Sequence, residues 1–193
     1  MMRLNVPFTV TAADWLTLAR FITPLPLALL WWLPGGAWVC FVLFSAAALT
    51  DYFDGMVARR LGVSSGFGVM LDPIADKILV ISTLLLLALS RDLSWLGLLA
   101  FWGILWRELI VAGLREYLSL RGTALPVVRL AKYKTALQML ACAVLLWENA
   151  NGGYWPYWFG EGLLVLAALL TLWTGWGYVK TTLEALEKSD AAG

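Results

Sequence analysis

Six stretches of mostly apolar residues take up the greater part of this chain, at roughly 15–34, 37–58, 73–90, 94–118, 131–148 and 160–180. A helix needs about 20 such residues to cross the hydrocarbon core of a bilayer, so each stretch is long enough for one span. With 61% hydrophobic residues, 14% charged and a mean hydropathy of +0.78, the composition is far from that of a soluble domain. Little chain is left over. The expected fold is all-α, one membrane domain over residues 1–193 built as a bundle of six transmembrane helices. Residues 1–13 read as an interfacial N-terminal segment and 184–193 as a polar tail that frays.

The charges give this bundle a direction. Six spans put the connections 35–36, 91–93 and 149–159 on one side of the membrane, and Arg91 is the only basic residue among them. Every other member of the chain's 14 Lys and Arg lies on or toward the opposite side. The positive-inside rule makes that side cytoplasmic, with both termini there. Many of the 12 tryptophans, including Trp31, Trp32, Trp38, Trp95, Trp155 and Trp158, sit near span ends, as interfacial anchors do. The net charge of +1 supplies no field for nucleic acid. The absence of histidine removes His-based catalysis and most zinc sites. Cys40 and Cys142 fall inside spans and read as small buried hydrophobes.

Local signals punctuate the spans. Thr11 and Asp14 form a capping box at the start of the first helix, and Pro24 and Pro26 kink its interior. Pro34-Gly35-Gly36 makes a tight turn. Residues 60–71 read as a short loop, followed by Asp72 as an N-cap and Pro73 at the first helical position.

Four carboxylates at the cytoplasmic side are the main clue to chemistry. Asp51 and Asp54 are three residues apart and Asp72 and Asp76 four apart, so each pair shares a helix face. Singly, each has an ordinary role: a cap, a complement to a helix dipole, or a partner for Arg59 or Arg60. Together, four carboxylates near lipid resist ionising unless cations hold them. Hard oxygen ligands suit Mg²⁺ or Mn²⁺, which commonly bind through a few carboxylates plus substrate phosphates. Gly55 and Gly68, with the small Ala58, let a bulky group approach the backbone, and Arg59 can reach a phosphate oxygen.

The spacing D-x-x-D-G-x-x-A-R, eight residues, G, three residues, D, three residues, D is filled by Asp51, Asp54, Gly55, Ala58, Arg59, Gly68, Asp72 and Asp76. This resembles the signature of the CDP-alcohol phosphatidyltransferases at all eight positions. The stretches WRELIVAGLREYL and LAKYKTALQM resemble the bacterial phosphatidylglycerolphosphate synthase branch, and the resemblance covers most of residues 10–180. It implies a six-helix membrane enzyme that moves a phosphatidyl group from CDP-diacylglycerol to an alcohol and releases CMP. By matching positions, Asp51, Asp54, Asp72 and Asp76 would hold metal, two ions of Mg²⁺ or Mn²⁺, and Asp76 would be the general base. Asp51, Gly55, Ala58, Arg59, Gly68 and Thr17 would cradle the CDP moiety. Relatives carry N-x-x-T-x-x-R in the first helix; here Asp14, Thr17 and Arg20 occupy it, which leaves Asp14 with a capping role. A homodimer in the membrane lipid is what the resemblance suggests.

The acceptor is read from basic residues beyond the fourth span. Glu108 and Arg115, seven apart, return to nearly one helix face, and Arg107 points about 100° away from Glu108. Lys134 shares a face with Gln138 and is favoured over Lys132 for the site. A cluster of Arg115, Lys134, and Arg107 or Arg121 suits a dianionic phosphate, and the resemblance implies that this acceptor is glycerol 3-phosphate. The same charges also serve as topology signals and anionic-lipid contacts. A cardiolipin synthase, an inositol-phosphate transferase or a divalent-cation transporter are the alternatives.

Overall fold

The computed structural model describes residues 12–61, 66–90, 92–121, 130–152 and 158–190, apart from the side chains of 12–13, 51–61, 66–69, 130–132 and 184–190. Among the described residues the regular structure is entirely helical. The helices are α1 (Ala12–Ile22), α2 (Pro24–Leu30), α3 (Gly36–Leu61), α4 (Gly66–Leu89), α5 (Trp95–Leu120), α6 (Leu130–Ala150) and α7 (Trp158–Asp190). Contacts divide the chain into two units, Met1–Thr83 and Leu84–Gly193, with the boundary inside α4.

In the first unit, the expected first span is two helices rather than one. Pro24 and Pro26 lack the N–H groups that would continue the ladder, so helix α1 stops at Ile22. The backbone at Thr23 stays right-handed, and its carbonyl still accepts from Leu27 N at 3.2 Å. Helices α1 and α2 both pack on α3. The turn into α3 depends on glycine: Gly35 has φ +73°, and a Cβ on Gly36 would collide with the backbone of Leu30. Leu27, Cys40 and Phe44 are buried there, and the Cys40 thiol faces the Leu27 carbonyl at 3.5 Å. Cys142 in the second unit is likewise a free, buried cysteine.

Two local expectations are corrected in this unit. The loop expected over 60–71 is helical to Leu61 and again from Gly66, and Asp72 is not an N-cap. Helix α4 begins six residues earlier, which places Pro73 inside it. A proline there costs the helix one backbone hydrogen bond. Thr11 of the expected capping box lies outside the described residues; Asp14 is in the first turn of α1 and buried.

In the second unit, α7 packs along both α5 and α6. Ser94 caps α5: its Oγ accepts from Gly97 N at 3.3 Å and donates to Glu161 Oε2 at 2.6 Å, while Ser94 N donates to Glu161 Oε1. The α6–α7 connection closes where Gly160 N donates to Glu148 Oε1 at 3.0 Å. A Cβ at residue 160 would lie 2.5 Å from Glu148 Oε2 and 2.9 Å from Leu145 Cδ2, so any other residue would have to push those side chains aside. Asp92, outside the helices, has its carboxyl pushed above the usual range by burial, against a lowering hydrogen bond from Ser90. Helix α7 continues to Asp190, so most of the tail expected to fray is helical.

Among the described residues, two segments are long and apolar enough to cross a membrane, Trp95–Leu120 and Trp158–Leu183, with a shorter apolar helix at Gly36–Thr50. Their outer faces carry large apolar side chains, among them Leu99, Trp102 and Trp106 on α5 and Leu169, Trp173 and Trp176 on α7. Water would not tolerate such faces, whereas lipid matches them.

Candidate functional site

The acidic face of α4 is anchored by α1. Thr17 and Arg20, one turn apart, both point inward from α1 and are almost completely buried. Thr17 Oγ1 donates to Asp72 Oδ1 at 2.5 Å, and Arg20 Nη1 donates to Asp76 Oδ1 at 2.9 Å. The three-residue step on one helix meets the four-residue step on the other, which fixes their register. Asp72 is exposed and the Asp76 side chain keeps 21% of its accessible surface, so both carboxylates stay reachable by a ligand. Arg20 was visible only as part of a motif; its contact with Asp76 joins residues 56 apart, beyond any local signal.

Asp51, Asp54, Gly55, Ala58 and Arg59 lie on the last turns of α3 and Gly68 on the first turn of α4, but their side chains fall outside the described residues. Among the described residues no three metal-ligating side chains gather. Asp72 and Asp76 are hard oxygen donors on one face, each with one oxygen steadied by a neighbour, and such a pair fits a divalent cation.

A second polar cluster is built by α5, α6 and α7. Arg107 Nη1 donates to Glu108 Oε1 at 2.9 Å, and Lys134 Nζ meets the same oxygen. Arg107 and Lys134 are only 6% and 5% exposed. Arg107 Nη2 donates to Thr174 Oγ1 at 3.1 Å, and its guanidinium lies 5.7 Å from the centre of the Tyr178 ring. Arg115 covers that ring at 5.2 Å and donates to the Tyr178 hydroxyl at 3.1 Å. Gln138 is buried on the same side of α6 as Lys134 and donates to Thr171 at 2.8 Å. Arg107 packs closely against α7. Its buried Nε has no hydrogen-bond partner among the described residues. Gly175 supplies the clearance, because a Cβ there would lie 3.1 Å from that Nε.

Arg107, Arg115 and Lys134 are therefore joined through Glu108 and Tyr178, whereas Arg121, at the C-cap of α5, stacks on Tyr117 at 4.9 Å instead. Lys134 points into the helix packing with Gln138, as their shared face required. Sequence reasoning missed Glu108 and Tyr178 as hubs. Neighbours at i and i+1 do not face one another on a helix, so an Arg107–Glu108 pair looks unpromising until long side chains wrap toward Lys134.

Comparison with known proteins places both clusters in context. The family model for CDP-alcohol phosphatidyltransferase matches residues 10–173. A Rickettsia felis protein named CDP-diacylglycerol–glycerol-3-phosphate 3-phosphatidyltransferase is 42% identical over 140 residues, 72% of this chain and 76% of its own length. Proteins of the same name from Cereibacter sphaeroides and Shigella flexneri are each 35% identical, over 80% and 90% of this chain and 86% and 92% of their own lengths. A match over most of the chain, with the eight-residue signature and two polar clusters in place, leaves one conclusion: the chain belongs to the CDP-alcohol phosphatidyltransferase family.

Proposed function

We propose that this enzyme transfers the phosphatidyl group of CDP-diacylglycerol to sn-glycerol 3-phosphate, giving phosphatidylglycerol phosphate and CMP for phospholipid synthesis. One observation carries the acceptor: Arg107 and Lys134, both buried, converge on one carboxylate oxygen, with Arg115 joined to them through Tyr178. Three cations against one carboxylate leave two positive charges in excess, matching a phosphate monoester dianion. A neutral acceptor such as free inositol would leave those charges uncompensated. The names of the relatives agree with this reading.

On the donor side, Asp51, Asp54, Asp72 and Asp76 are the residues that would hold Mg²⁺ or Mn²⁺, as two ions. Metal bound there supplies neutralising charge to the pyrophosphate and to the departing CMP. Gly55, Ala58, Arg59, Gly68 and Thr17 would receive the CDP group, with Thr17 also steadying Asp72. Asp76, held by Arg20, takes the proton from the acceptor hydroxyl. The hydroxyl oxygen then bonds to the β-phosphorus of CDP-diacylglycerol. The bond from that phosphorus to the bridging oxygen breaks, and its electron pair leaves with CMP.

The membrane reading extends in the same way. Six spans follow from the apolar stretches, and a cytoplasm-facing site with both termini in the cytoplasm from the distribution of Lys and Arg; a bacterial inner-membrane location is what the resemblance to the bacterial enzymes implies. A homodimer among membrane lipids accords with the family. The test is CMP release from CDP-diacylglycerol with and without Mg²⁺, offering glycerol 3-phosphate, phosphatidylglycerol or inositol phosphate as acceptor. Metal-dependent release with glycerol 3-phosphate alone is expected, and release with only another acceptor would refute the assignment. Asp76→Asn should abolish turnover while CDP-diacylglycerol still binds; normal turnover in that variant would remove Asp76 from its role.

A further inference from the structure

Glu108 is a carboxylate inside a pocket that is to bind an anion, and it would repel the ligand that the pocket exists to hold. A buried ion cluster is weak stabilisation for a helix bundle, since apolar residues of similar size do as well. Its geometry suggests another use. One oxygen, Oε1, takes both Lys134 Nζ and Arg107 Nη1. Without an anion between them, an ammonium and a guanidinium at that separation repel each other. Glu108 and Thr174 each take one N–H from a terminal nitrogen of Arg107, so each of those nitrogens keeps a second N–H.

We propose that Glu108 is a positioning residue that sets acceptor specificity. It gathers Lys134 and Arg107 into one fork before the acceptor arrives. It also trims the pocket's charge to that of a dianion. This role rests on the proposed acceptor and goes beyond it by naming what presents the cations.

The experiment compares Glu108→Gln, Glu108→Asp, Lys134→Gln and the double variant Glu108→Gln/Lys134→Gln, all full-length in detergent. Apparent KM is measured for glycerol 3-phosphate and for CDP-diacylglycerol. Loss of a charge-assisted hydrogen bond corresponds to about ten- to a hundredfold in KM, so Glu108→Gln should raise the acceptor KM by that factor. Its donor KM should stay within about twofold of the parent, which simple loss of folded protein would not produce. Glu108→Asp keeps the charge but withdraws the oxygen by one methylene, and should fall between parent and Glu108→Gln. If Glu108 acts through Lys134, the double variant is no worse for the acceptor than Lys134→Gln alone. Should Glu108→Gln fail to fold, Glu108→Asp and the double variant, which removes both charges, carry the comparison. A folded Glu108→Gln or Glu108→Asp with the parent's acceptor KM would overturn the proposal, as would additive effects in the double variant. An unchanged acceptor KM in Lys134→Gln would instead overturn the phosphate pocket itself.

Discussion

Gly175 offers a test of the phosphate pocket that changes no charge. A Cβ at this position would lie 2.7 Å from Arg107 Cγ, 3.1 Å from Nε and 3.4 Å from Cδ, so all three nearest atoms belong to one side chain. The closest of them is in the stem, which cannot swing aside as the tip could. Gly175→Ala must therefore push Arg107 by several tenths of an ångström, and overpacking of this sort costs about 1–3 kcal/mol. Alanine in a helix interior returns about 1 kcal/mol over glycine, so the net destabilisation should be about 0–2 kcal/mol. The 3.1 Å bond from Arg107 to Thr174 has little slack before it is lost. Losing it and misplacing the guanidinium should raise the acceptor KM by about tenfold or more. Gly177→Ala is the matched control, on the same helix with nothing within 4 Å of the added carbon. It should stabilise by about 0.5–1 kcal/mol and leave both KM values alone. Thermal unfolding in detergent and steady-state kinetics for each substrate read the two effects separately. If Gly175→Ala behaves like Gly177→Ala in both, Arg107 is not where the acceptor binds.

Two further outcomes concern the far end of the second unit. Ser94→Ala removes the cap of α5 and a hydrogen bond to the Glu161 carboxylate, and should cost about 1–3 kcal/mol without altering acceptor or donor KM; a changed acceptor KM would show that this end is coupled to the chemistry. Asp92→Asn addresses pH. Burial raises the Asp92 carboxyl above its ordinary value of 3.8, so the folded chain holds that proton more tightly than the unfolded one. Stability from this group is complete below the ordinary value and is lost as pH rises through the folded one. Asparagine escapes that loss, so the variant should unfold at a higher temperature than the parent at neutral pH, with the gap closing on acidification; a gap independent of pH would contradict the burial argument.

Much of the fold can be read from hydropathy because lipid leaves a chain few choices. The starts of α5, α6 and α7 fall within a few residues of their expected places. The first span breaks at the prolines that announced it. The Asp72-Pro73 reading failed for a specific reason: an N-cap followed by proline is a local signature, whereas the course of α4 is decided by ties to α1 from 55 and 56 residues away. Glu108 eluded sequence reasoning in a similar manner. Helical geometry separates it from Arg107, and only Lys134, on another helix, gives both side chains a reason to turn the same way. The cations themselves were legible as a set, apart from Arg121, whose aromatic neighbour Tyr117 lies one turn away on its own helix.

The ties from Thr17 and Arg20 bear on how the protein comes into being. Both bonds close loops of more than fifty residues, and such closures carry an entropic cost that must be met before the contact returns anything. During synthesis α1 is made first, and its bonds to α4 have to wait until α4 has been made. Until then Arg20 is a cation without the carboxylate it will hold. The acidic face is thus completed by docking rather than by insertion, which makes an active enzyme a report that the first helix has found its late-arriving partner.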